Sequence, residues 1–457
     1  MKRLALLLIA LSLFASIQNA AAETAEKPNV IIIYCDDLGY GDIGPFGSEK
    51  HRTPNIDKLA QQGRCFTSFY STSGVCTPSR SSLMTGCYPI RVGLHENEKK
   101  GWVLFPGNSR GLNPSEITIA EVLKSQGYAT AAVGKWHLGD QPAYLPTEQG
   151  FDQYFGIPFS NDMGYDNMRR GFPPLPLMKD AEVIEEEPDQ HFLTPRYTEV
   201  ATKFIRDHKD EPFFLYMPHT FPHRPIFASP KFAGKSANGV FGDSVEEIDW
   251  SVGQLLDTLD ELDLADNTLV VFTSDNGSRP DLGGSNGPLR GQKGSTWEGG
   301  QRVCCVMRWP GQIPAGTKCD EVCSTIDMLP TVAKIAGTAA PTDRIIDGRD
   351  IRPLMTGVAG AKSPHDAFYF YFKGTLQAVR SGKWKLRLNA APKLTDLDAD
   401  IGESTDVSAD NPEVVARLMK LIERARADLG DNNIQGSGGR KPGHVDNADT
   451  LTHRPAQ

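Results

Sequence analysis

Three short runs limit what this chain can fold into more than anything else in it: VIIIY at 30–34, PFFLYM at 212–217 and TLVVFT at 268–273. None alternates polar with apolar residues. A strand with one wet face alternates, so unbroken runs of this length predict strands buried on both faces, as in a parallel sheet covered by helices on each side. Helical patterning lies between them. Residues 53–60 read as a capped helix and 117–127 as an amphipathic one. Residues 245–262 place Ile248, Val252, Leu255, Leu256 and Leu259 on one core-facing stripe. The expected fold class is therefore α/β, a large, mixed and mostly parallel sheet flanked by helices. Composition shifts near 357–364, beyond which 367–372, 375–380 and 383–388 read as an antiparallel meander turning at Ser381-Gly382, and 414–427 as a helix. The expected division is a large α/β unit over 23–362, a smaller α+β unit with an antiparallel sheet over 363–430, and a flexible polar tail over 431–457. Residues 172–187, Pro-rich and acidic, read as an irregular surface excursion.

Ligands of open α/β sheets gather where strands end. The run at 30–34 empties into Asp36 and Asp37, and the run at 268–273 into Asp275 and Asn276. The run at 212–217 delivers PHTFPHRP, holding His219 and His223. A further strand at 129–133 delivers GKWHLG, whose Lys135 and His137 share one face if extended. Taken singly, each is an ordinary turn, cap or surface pair. If the acids converge, repulsion is about 4 kcal/mol per pair at 4 Å and an effective dielectric of ~20. A hard dication removes it, and all-oxygen donors favour Ca²⁺ or Mg²⁺ over zinc. Ca²⁺ is expected first, since it tolerates irregular oxygen shells. A Gly-rich loop over 283–300 carries Lys293 and no dinucleotide fingerprint.

The last stretch is CTPSRSSLMTG at 76–86. Pro78, Ser79 and Ser81 suit the first turn of a helix, which sets Cys76 against its positive end beside Arg80. That position suits an anionic nucleophile and an oxyanion substrate alike. The whole run resembles the type I sulfatase signature. CDDLGYGD, SDNG, GKWHLG and GQKGSTWEGG resemble that family's two metal motifs and its lysine and histidine motifs. The resemblance spans roughly 28–348, and local wording at 156–160 and 283–288 is similar to the arylsulfatase A and N-acetylgalactosamine-6-sulfatase branch. It implies an alkaline-phosphatase-like fold and oxidation of Cys76 by a maturation enzyme to Cα-formylglycine, whose hydrate attacks sulfur. It implies a metal held by Asp36, Asp37, Cys76, Asp275 and Asn276. Arg80, Lys135 and Lys293 would neutralise the sulfate, and Asp275 would take a proton from the attacking hydroxyl. His223, chosen over His219 by spacing, would protonate the leaving alcohol with Lys293 assisting. His137 would release the sulfate, and Ser160 would touch substrate or order a histidine.

Lys2, Arg3, the apolar stretch 4–17 and Ala20–Ala22 read as an export leader, which predicts a periplasmic or secreted protein. Removing Lys2 and Arg3 takes the net charge from −9 to −11, unfavourable for nucleic acid, and no stretch is long enough to span a membrane. Eight cysteines are too few for a disulfide scaffold, although Cys319 with Cys323, or one of Cys304 and Cys305, could pair. The expected function is hydrolysis of sulfate monoesters, of aryl groups or sugars. The alternatives are a phosphate mono- or diester hydrolase of the alkaline phosphatase superfamily and an inactive exported carbohydrate-binding relative.

Overall fold

The computed structural model describes residues 27–165, 171–388 and 390–451. Its ten-stranded sheet is made of β1 (Asn29–Cys35), β2 (Arg64–Phe66), β3 (Ala129–Val133), β4 (Gln153–Gly156), β5 (Pro176–Lys179), β6 (Glu182–Glu186), β7 (Phe213–Pro218), β8 (Thr268–Ser274), β9 (Cys305–Arg308) and β10 (Thr317–Cys319). They lie in the order β10-β2-β9-β8-β1-β7-β3-β4-β5-β6. The central strands β8, β1, β7, β3 and β4 are parallel, and antiparallel pairs flank them on both sides.

β1 shows why the unbroken run belongs at the centre. Val30, Ile32 and Tyr34 enter one apolar layer while Ile31, Ile33 and Cys35 enter the other, all fully buried. Each aliphatic side chain so buried contributes about 1.5–3 kcal/mol. The helices are α1 (Pro54–Gln62), α2 (Cys76–Thr85), α3 (Ile119–Lys124), α4 (Leu193–Asp207), α5 (Gly239–Glu261) and α6 (Met328–Ile335). α2, α3 and α6 cover the first layer, and α1, α4 and α5 the second.

Local readings shift where tertiary contacts take over. α5 begins at Gly239, ahead of its apolar stripe, because its buried acids are used. Asp243 accepts N–H bonds from Gly234, Lys235 and Ser236, and Asp249 accepts from Asn55 and Ile56. Asp249 thus caps α1; Thr53 makes no cap and pairs with Asp57 instead. Phe66 ends β2, while Phe69 and Tyr70 belong to a second small sheet. The excursion expected over 172–187 is instead the hairpin β5–β6, and the outer strand β6 exposes Glu182 and Glu186, which discourages further edge pairing. Prolines and acids masked it in the sequence.

The C-terminal sheet has four antiparallel strands where three were expected: β11 (Phe368–Phe372), β12 (Thr375–Ser381), β13 (Trp384–Arg387) and β14 (Lys393–Asp396), with α7 (Pro412–Asp428) packed on it. Residues 431–451, expected as a flexible tail, are tied down. Gly443–His444 pairs with Arg110–Gly111, and Arg440 holds Glu116 at 2.7 Å. Polar composition hid this, because main-chain pairing leaves no apolar signature. Residues 452–457 and the leader expected at 1–22 lie outside the described residues. All eight cysteines are buried free thiols, so the pairings considered for Cys319, Cys323, Cys304 and Cys305 are not made.

The C-terminal sheet shares its core with Tyr70, Tyr88 and Ile326 of the larger unit. Beneath that seam Glu298, fully buried, meets Lys385 at 2.9 Å and Arg302 at 3.3 Å, and accepts from the Tyr70 hydroxyl. Burial alone would raise its carboxyl, but Lys385, Arg380 and Arg302 hold it down at about 2. Removing Glu298 strands those cations. Glu298→Ala is expected to cost about 3–5 kcal/mol in urea unfolding; a loss under about 1 kcal/mol would show that the network relaxes. Because the folded value lies below the ordinary 4.5, this contribution is present above pH 4.5 and fades as pH falls towards about 2.

Candidate active site

The register of three parallel strands assembles the site. β1 and β8 pair Cys35 with Ser274, so Asp36 and Asp37 leave the sheet beside Asp275 and Asn276. The Asp37 N–H donates to Asp275 Oδ1 at 3.1 Å, and Asn276 Nδ2 donates to Asp37 Oδ1 at 2.8 Å. Asp37 adopts φ 65°, a left-handed turn that L-residues adopt only where the surroundings enforce it. The loop behind it needs its glycines. A Cβ on Gly39 would meet the Ser285 carbonyl oxygen at 2.2 Å, and one on Gly41 the Gly287 nitrogen at 2.6 Å. Asp42 locks that contact by accepting N–H bonds from Gly39 and Ser285.

Cys76 opens α2, and its Sγ donates to Asp36 Oδ1 at 3.3 Å. One turn on, Arg80 is fully buried, donating to Asp275 Oδ2 at 3.0 Å and to the Lys135 carbonyl at 2.8 Å. Lys135, beyond β3, pairs with Asp36 Oδ2 and lies 3.2 Å from Ser160 Oγ. Lys293 meets Asp37 Oδ1 at 2.7 Å and Cys76 Sγ at 3.8 Å. His137, at φ 62°, has its Nε2 at 3.0 Å from the Leu104 carbonyl. His223 Nδ1 lies 3.1 Å from Asn161 Oδ1, and its Nε2 3.9 Å from Asp37 Oδ2. His219 is buried with neither nitrogen bonded among the described residues, and burial lowers it to about 3. All eleven residues picked out from the sequence thus meet at one end of the sheet. Asn161, Asp162, Arg224 and Trp102 line or brace the same pocket of about 520 Å³ and carried no motif.

Electrostatics divide the acids. Burial would raise Asp36, but Lys135, His223 and Arg80 outweigh it and hold the carboxyl well below its usual range. Asp275 goes the other way: burial and the Asp36 charge push it up to about 7 against Arg80. Asp37 is also raised by burial, against Lys293. Burial and then Asp36 push the Cys76 thiol far up, so the side chain is a neutral thiol. Burial lowers His137 and His223, with Lys135 and Lys293 adding respectively.

The donor set fits a hard cation. Ligand atoms of Asp36, Asp37, Cys76 and His223 lie within 4.8 Å of one another, and Asn276 Oδ1 is buried with no hydrogen-bond partner among the described residues. A carboxyl pushed up to about 7 by burial and the neighbouring Asp36 charge marks local carboxylate repulsion that a divalent ion would relieve.

A sequence model of the Sulfatase family matches residues 28–338, and one of the N-sulphoglucosamine sulphohydrolase C-terminal region matches 292–428. The chain is similar to arylsulfatase A of Homo sapiens, 39% identical over 431 residues that span 88% of this chain and 83% of that one. It is also similar to N-acetylgalactosamine-6-sulfatase of Canis lupus familiaris, 40% identical over 383 residues, 80% and 72% of the two. Among solved structures, Ps i-CgsB superposes with a TM-score of 0.80 at 32% identity, covering 91% of this chain and 95% of that chain. The PsFucS1 sulfatase from Pseudoalteromonas sp. does so with 0.81 at 27%, covering 93% and 95%.

The raised thiol has a measurable consequence. In protein carrying an unconverted Cys76, alkylation of that residue at pH 8, followed by peptide mass spectrometry, should run at least about tenfold slower than on a free cysteine of ordinary pKa. Alkylation at the free-thiol rate would mean that the site holds a thiolate.

Proposed function

The chain belongs to the sulfatase family and is a sulfuric ester hydrolase, and from that premise we propose that its nucleophile is Cα-formylglycine made from Cys76, that its metal is Ca²⁺, and that its substrates are aryl sulfates and sulfated sugars. The carrying observation is the neutral Cys76 thiol at the start of α2, among three carboxylates and three cations. A neutral thiol is a weak nucleophile, and an unmodified one leaves this constellation without a purpose. Oxidised to the aldehyde and hydrated, the residue supplies a hydroxyl to attack sulfur and a second from which sulfate is expelled. A formylglycine-generating enzyme is the partner this requires, and export to the periplasm or beyond belongs to the same reading.

Asp36, Asp37, Asp275 and Asn276, with the residue at 76, would hold the ion, which supplies charge stabilisation to a sulfate oxygen when bound. Mg²⁺ is the next choice. Lys135, Lys293 and Arg80 carry the positive charge that a sulfate dianion in transition demands. Asp275, a carboxylate beside Arg80, takes the proton of the attacking hydroxyl. His223 is kept neutral by burial and Lys293 in the free protein. An anionic ester beside it restores its proton, because a neighbouring negative charge favours the cationic form. The ring then donates to the leaving oxygen, with Asn161 fixing its orientation through Nδ1. His137, tied to the Leu104 carbonyl through Nε2, has Nδ1 unpartnered among the described residues and accepts the last proton. Ser160 orders Lys135.

Turnover of sulfate and phosphate esters of one alcohol tests the assignment, with sulfate expected to lead by orders of magnitude. Cys76→Ala should abolish sulfate release without changing the melting temperature; near-normal release would refute the nucleophile. His223→Ala should depress alkyl sulfates by about 10²–10⁴-fold but nitrophenyl sulfate far less, because a good leaving group needs no proton. Equal losses would remove the acid role. Ca²⁺ should raise the melting temperature of chelator-treated protein and should not raise that of Asp37→Ala; equal shifts would place the ion elsewhere.

A further inference from the structure

Beyond the sulfate-handling groups, the pocket wall carries three side chains that the reaction does not use. Resting on the reading of this site as a sulfatase centre, we propose that Arg224 and Asp162, with Trp102, form a subsite for a sugar that bears a second anionic group next to the one carrying the scissile sulfate. Arg224 follows the proposed acid His223 and lines the pocket, directly before Pro225, which restricts its backbone. It makes no hydrogen bond or ion pair among the described residues. The nearby carboxylate that feels its charge, Asp281, is held by Arg279 at 2.5 Å. Asp162 also lines the pocket, is only 7% exposed, and its Oδ1 has no partner among the described residues.

The two lie on one wall. Asn161 holds the His223 ring through Oδ1 and the Pro225 carbonyl through Nδ2, at 3.1 and 2.9 Å, which locks the segment with Asp162 against the segment with Arg224. Since His223 protonates the leaving oxygen, the alcohol part of the substrate must sit on this wall. Trp102, 46% exposed, reaches the same pocket from the segment whose Leu104 carbonyl meets His137. Its ring is braced edge-on by Phe372 at 5.4 Å, which leaves a flat apolar face for the carbon skeleton of a pyranose.

These chemistries select against a plain hydrocarbon alcohol. An aryl or steroid group laid here would leave the Asp162 oxygen unsatisfied and would cover a guanidinium that has no partner among the described residues, each costly. Sugar hydroxyls donate to Asp162, and two oxygens of an oxyanion receive paired N–H bonds from Arg224. The oxyanion is either a uronate carboxylate or a second sulfate.

The test uses mature enzyme and three matched disaccharides. One carries a single sulfate, one the same sulfate and a neighbouring carboxylate, and one a neighbouring second sulfate. Sulfate release should show kcat/KM raised about 10–100-fold by the second anion in the wild type. The arm that gains identifies which anion it is. In Arg224→Gln the gain should collapse to within about threefold, and Arg224→Lys should keep part of it, since a point charge lacks the paired donors. Asp162→Asn should lower kcat/KM for all three disaccharides relative to nitrophenyl sulfate. Absence of any gain in the wild type, or a gain that survives in Arg224→Gln, overturns the subsite while leaving the sulfatase reading intact. Failure to release sulfate from nitrophenyl sulfate as well overturns both.

Discussion

Everything at this end of the sheet depends on a largely buried charge balance. Asp36, Asp37 and Asp275 are buried together with Arg80 and Lys135, with the partly exposed Lys293 closing the set at the pocket mouth, and any one of the five buried charges alone would cost several kcal/mol of lost hydration. They are tolerable only as a set. The balance is uneven: Asp36 is strongly stabilised as an anion, while Asp275 sits near 7. That asymmetry separates a group that stays charged from one that can exchange a proton, and it follows from which cation lies against which acid.

The same burial makes the geometry costly to hold. Asp37 and His137 both leave their strands in the left-handed region, and neither is glycine. Such turns persist when the surroundings over-determine them. Here the determinants are the bond from Asp37 N–H to Asp275, the pairing of Lys293 with Asp37, and the contact of His137 with Leu104. The sheet supplies the rigidity: five parallel strands, both faces sealed by helices, present their ends as a fixed floor. The walls come from loops, and the walls differ in character from the floor. The floor is charge-paired; the wall that holds Arg224 and Asp162 keeps polar groups without partners among the described residues, as a surface made for a polar guest does.

Much of the floor was legible in the sequence because its residues follow strands and helices with strong local signatures. Asp36 follows VIIIY, Asp275 follows TLVVFT, and Cys76 precedes a run whose Pro78 and serines read as a helix start. Where the reading went astray, the deciding contact was far away in the chain. The cap of α1 is Asp249, the hairpin β5–β6 exists because β4 offers an edge, and residues 443–444 are ordered by pairing with 110–111. Local composition carries no trace of such partners.

By itself, then, the sequence determined the class of fold, through runs that only a sheet buried on both faces can use, and the chemistry carried at the strand ends, through the residue types placed there. Tertiary structure alone decided which of those groups touch. It paired Asp36 with Lys135, left Asp275 to titrate, set Asn161 behind His223, and brought Arg224, Asp162 and Trp102 to one pocket from separate segments. The physical reason is that periodicity and propensity act over a few residues, whereas Coulomb interactions and desolvation depend on distances that only the packed chain defines.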